Sequence, residues 1–146
     1  MKKIMLIFLF LSSFSYSQSI EITGLSVADL ETVKLLYIKM MESEDYKKKE
    51  VIQEELSPML EGDGIEDVLD PKKKPSEEKL YKWLEENLPK EKANKAIILF
   101  KNSVALQEKI ENDNKLLFDF IKQATVEQRM EIFQPFFKKT RAKFGH

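Results

Sequence analysis

The side chains able to do chemistry are few. The 146-residue chain has no cysteine and one histidine, His146. Without them there is no thiol nucleophile, no positioned imidazole base, and no thiolate or imidazole metal site. Ser26, Ser57 and Ser76 sit where helix caps are expected and lack a histidine partner. Beyond the leader the glycines are Gly24, Gly62, Gly64 and Gly145, which do not form a phosphate-cradling loop. Carboxylates remain. Glu85, Glu86, Glu108 and Glu111 could supply the paired acids of a glycosidase, which must face each other across a cleft. With 25 Asp and Glu in the chain, spacing singles none of them out. Asp63 lies between two glycines with Glu61, Glu66 and Asp67 nearby. The acid-x-acid-x-acid-Gly order of a calcium loop is absent. The expectation is a protein without catalysis, metal or cofactor.

The elements that would carry any site are helices. From Ala93 the residues Ala96, Leu99, Phe100, Ser103, Leu106 and Ile110 follow a three-four step, and Leu117, Ile121 and Ala124 resume the stripe. Asn112-Asp113-Asn114 interrupts it, because these side chains compete for the backbone. One bent helix or two helices fits. Thr125 is an N-cap with Gln128 at the third helical position, which makes a capping box. Met130, Phe133 and Phe137 follow on one face, and Pro135 should kink or split that run. Lys138, Lys139, Arg141 and Lys143 close the chain with no acid after Glu131.

Earlier, Ser26 caps a stripe of Leu30, Val33, Tyr37 and Met40, widened by Leu36 and Met41. Val51, Ile52, Leu56, Met59 and Leu60 make another face, with Pro58 at its last turn. Gly62 and Gly64 stop it, and Ile65, Val68 and Leu69 suit one short turn. Asp70-Pro71-Lys72-Lys73-Lys74-Pro75 is a connector, since each proline holds its predecessor extended. Ser76 caps a helix whose narrow face holds Leu80, Trp83, Leu84 and Leu88. The pattern predicts an all-α protein of four to five helices, a small bundle or elongated helical hairpins.

Met1-Lys2-Lys3, the apolar run Ile4–Leu11 and the small residues from Ser12 read as a signal peptide cleaved after Ser17. That division leaves residues 18–146 as one helical domain containing the 70–75 connector. Losing Lys2 and Lys3 leaves 22 basic residues against 25 acidic ones, a net charge of −3. Such a balance gives no case for nucleic acid. No later stretch approaches membrane length, so the cleaved chain is expected not to be integral to a membrane. The expected location is the periplasm or the extracellular space.

Thr125-Val126-Glu127-Gln128-Arg129, followed by Phe133, resembles the Leu-Thr-x-x-Gln signature of the Spy/CpxP-like family of periplasmic helical proteins. Ala124 stands where the family has Leu, and Val126 where Pro is frequent. An earlier segment, Leu25-Ser26-Val27-Ala28-Asp29, replaces both Thr and Gln of a second copy. The resemblance covers about ten residues. It implies an elongated, often dimeric, non-catalytic fold that binds unfolded or envelope proteins as a chaperone or stress sensor. Thr125 and Gln128 would then be structural. Candidate binding residues, chosen from the apolar and basic pattern, are Met40, Met41, Phe136, Phe137 and Lys138. The competing expectations are a specific interaction module, such as an inhibitor or immunity-type partner of an exported enzyme, and a structural envelope protein.

Overall fold

The computed structural model describes residues 23–70, 72 and 76–144. The expected signal peptide and most of the proline–lysine connector lie outside the described residues. Every described regular element is helical. The helices are α1 (Val27–Met41), α2 (Glu44–Leu56), α3 (Ile65–Val68), α4 (Glu77–Asn87), α5 (Lys90–Asp113), α6 (Lys115–Gln123), α7 (Val126–Ile132) and α8 (Gln134–Phe144), with a 3₁₀ turn at Ser57–Leu60.

The all-α class therefore holds, and the expected four to five helices are corrected to eight among the described residues. Single residues make the extra cuts. The Ser43 hydroxyl donates to the Met40 carbonyl at 2.6 Å and accepts from Tyr46 N at 3.3 Å, closing α1 and opening α2. The Asn114 side chain donates to the Ile110 carbonyl at 2.8 Å between α5 and α6, which are two helices and not one bent one. Phe133 ends α7, and Pro135 falls in the first turn of α8, where its missing donor costs nothing.

The described chain forms two compact units. The first spans Lys47–Lys109. Its core joins Leu56, Leu60, Ile65, Leu69, Leu80, Trp83, Leu84, Ala93 and Ala96. Trp83 organises the glycine turn: its indole N–H donates to the Asp63 carbonyl at 2.9 Å. A side chain at Gly62 would meet the Trp83 ring at 3.1 Å. The Glu61–Gly64 turn thus serves packing. A second feature of this unit was not visible in the sequence. Lys49 and Gln53 on α2 are buried, as are Ser103 and Gln107 on α5, and Lys49 Nζ donates to Gln107 Oε1. Each pair is four residues apart, so each occupies one helix face.

The second unit comprises the described parts of Ser19–Tyr46 and Ile110–His146. Helix α1 packs on α6 and α7, and α7 on α8. Val33, Tyr37, Met40 and Met41 are buried with Leu117, Phe118, Ile121, Ala124, Ile132 and Phe136. The Tyr37 and Phe133 rings pack with centroids 5.3 Å apart.

Candidate functional site

The expected cap at Thr125 is present and does more than end a helix. Thr125 Oγ1 accepts from Gln128 N at 3.2 Å, and Gln128 Oε1 accepts from Thr125 N at 3.1 Å. The same carboxamide reaches the start of the described chain. Gln128 Oε1 also accepts from Leu25 N, and Gln128 Nε2 donates to the Leu25 carbonyl, both at 2.8 Å. Gly24 N donates to the Gln123 carbonyl at 3.0 Å. The segment before α1 is thereby clasped against the α6–α7 junction. Gly24 has φ +80, a region L side chains avoid, and a Cβ there would lie 3.1 Å from Thr125 Cγ2. Arg129 secures the other side of the junction. Its Nε donates to the Ile121 carbonyl at 3.0 Å and its Nη2 to the Lys122 carbonyl at 3.2 Å, supplying the terminal carbonyls of α6.

The five candidate binding residues do not form one surface. Met40, Met41 and Phe136 are 4, 8 and 6 % exposed and belong to the core of the second unit. Phe137 is half-buried, edge-to-face with Phe136 at 5.7 Å. Of the five, Lys138 alone is exposed. The large apolar side chains that do face solvent in this unit are Val27, Leu35, Ile38, Leu116, Val126 and Met130. Val126 and Met130 are four apart and share one face of α7. The sequence pattern passed over Val126 and set Met130 on one apolar face with Phe133 and Phe137, whereas Met130 is exposed and Phe133 and Phe137 are half-buried.

Glu85, Glu86 and Glu108 are exposed and Glu111 is half-buried. Among the described residues no group of three or more acids and histidines is placed to hold a metal ion. The serines sit at helix ends: Ser26 Oγ accepts from Asp29 N at 3.1 Å, and Ser76 Oγ from Lys79 N at 3.4 Å. Tyr81 is one perturbed titratable group. Burial, and then the Glu77 carboxylate that accepts from its hydroxyl at 3.4 Å, raise its pKa above the ordinary 10.0. Lys101 Nζ stands 5.5 Å from the centre of the same ring. No described helix is long and apolar enough to cross a membrane.

Comparison with protein-family models, curated proteins and solved structures finds no match.

Proposed function

We propose that this chain is a non-catalytic binding protein of an exported compartment, with a chaperone-like or envelope-stress-sensing role toward unfolded or envelope proteins. One observation carries the reading. The second unit has a filled core and still exposes large aliphatic side chains on α1, α6 and α7. Apolar side chains beyond what the core needs suit contact with other apolar chains. Val126 and Met130 replace the buried methionines and Phe136 as the residues to which binding is assigned.

The test is a light-scattering assay of a reduced, unfolding client with the purified chain at equal molarity. Suppressed aggregation is expected, weakened by Val126→Ser with Met130→Ser. An unaltered aggregation curve would refute the chaperone-like reading. A second reading is favoured by the exposed acids Glu61, Asp63, Glu66 and Asp67 around the Trp83 turn. They suit a single basic partner, as in an inhibitor or immunity-type module, and predict one tight complex with no effect on unfolded clients.

A further inference from the structure

We propose that the outward face of α1 is a contact between two copies of this chain, packed antiparallel about a two-fold axis at Leu35. The inference does not rest on the client-binding reading. It starts from the one long helix of the second unit that exposes an apolar face. Val33, Tyr37, Met40 and Met41 occupy the buried side of α1. On the other side Val27, Leu35 and Ile38 are 81, 69 and 39 % exposed. Ala28, Glu31, Leu35, Ile38 and Glu42 are spaced three-four-three-four, the step of a helix-pairing seam.

The charges choose the partner and the register. A parallel second copy would set Glu31 against Glu31 and Glu42 against Glu42. An antiparallel copy with its axis midway between Leu35 and Ile38 would set Glu31 against Glu42 and Lys34 against Lys39. Like charges so placed oppose association. With the axis at Leu35, Leu35 meets Leu35, Ile38 meets Thr32, and Glu31 meets Lys39 of the other copy, twice. An axis between Val27 and Ile38 would also be complementary, through Glu31 and Lys34. Glu31 is paired with Lys34 of its own chain at 3.1 Å in either register, but only the alternative draws on Lys34, which also has Glu131 of its own chain at 3.8 Å. It would also move the exposed Leu35 away from the centre of the seam. Three aliphatic side chains per copy make a contact at or below the low end of stable interfaces, roughly 1,200 Å² in total. The dimer is therefore weak and concentration-dependent.

Sedimentation velocity of the full chain, from about 10 µM to about 1 mM, tests this. A rising sedimentation coefficient is expected. Glu31→Lys should weaken self-association at least tenfold, and so should Lys39→Glu. Both side chains are exposed, so the circular dichroism spectrum of each variant should match the parent. The decisive sample is an equimolar mixture of the two variants, in which each cross-pair again joins opposite charges. Recovery of the parent's association supports the antiparallel register. A parent that stays monomeric throughout, a Glu31→Lys variant that associates like the parent, or a mixture as weak as its components would overturn it.

Discussion

Replacing Gln128 by alanine should free the segment that leads into α1. Leu25 lies 103 positions earlier in the chain, yet its N–H and its carbonyl both bond the Gln128 carboxamide. Thr125 N bonds the same oxygen. The variant loses three hydrogen bonds worth about 1 kcal/mol each. All three are only partly buried, so water recovers some of this, and a loss of about 2 kcal/mol is expected. The chain forms two units, so a global unfolding midpoint mixes their stabilities. Amide hydrogen exchange reads the clasp directly. About 2 kcal/mol corresponds to roughly thirtyfold faster exchange at Leu25 N–H. Gln128→Glu sharpens the experiment. It keeps the oxygen that accepts from Leu25 N and Thr125 N but sets a carboxylate against the Leu25 carbonyl. At neutral pH it should protect Leu25 no better than alanine does. Unchanged protection in the alanine variant, or full protection in the glutamate variant, would show that the segment is held by something other than this amide pairing.

Three further outcomes follow from the same geometry. Gly24→Ala places a Cβ at positive φ and against Thr125 Cγ2, and should cost the second unit about 1–2 kcal/mol, read as faster exchange at the Gly24-position and Leu25 amides. In the first unit, Gln107→Leu takes a partner from the buried Lys49 ammonium and should cost about 2–3 kcal/mol, whereas Lys49→Met with Gln107→Leu should recover most of that, as measured by urea unfolding followed through the fluorescence of Trp83, the chain's one tryptophan, which lies in this unit. Tyr81 should titrate above 10.0 by ultraviolet absorbance, and Glu77→Gln should lower that value. Because the folded state holds the Tyr81 proton more tightly than the unfolded state, the unfolded chain binds fewer protons as pH rises through 10, so stability falls there and is unaffected at neutral pH.

Local signals in the sequence were legible and long-range ones were not. Ser26, Ser76 and the Thr125–Gln128 box announce helix starts because a cap needs only residues three apart. Pro135 announces a kink or split for the same reason, and the Asn112–Asn114 gap an interruption that fits a bend as well as a break. The helix count failed where a break rests on one ordinary residue. Ser43 between α1 and α2 looks like part of a charged helical run, and its two hydrogen bonds appear only in three dimensions. The second partner of Gln128 is 103 residues away, so no window contains it. Lys49 belongs to a run of three lysines that reads as solvated, and Lys47 and Lys48 are exposed. Lys49 is buried because it alone falls on the α2 face that meets Gln107.

The aromatic residues of the last third carry the deeper lesson about the site. Phe118 and Phe120 are two apart, and Phe136 and Phe137 are adjacent, so neither pair can share one face of a lone helix. That arithmetic suggests surplus apolar surface and invites a binding role. It counts one neighbour per helix, and the second unit does not obey that count. Its helices are short, and α7 packs against both α1 and α8. Side chains from different helices share one core here, so Phe118 on α6 and Phe136 on α8 are covered and Phe137 is half-covered. The converse holds for α1. Its stripe of Leu30, Val33, Tyr37 and Met40 already satisfies a core, which leaves Leu35 and Ile38 exposed although neither looks unusual in sequence. Surplus apolar surface is decided by which sides of a helix its neighbours occupy, not by how many large residues it carries. Substituting Leu35, Val126 and Met130 should therefore alter association or client binding while leaving the fold intact, whereas substituting Met41 or Phe136 should unfold the second unit first.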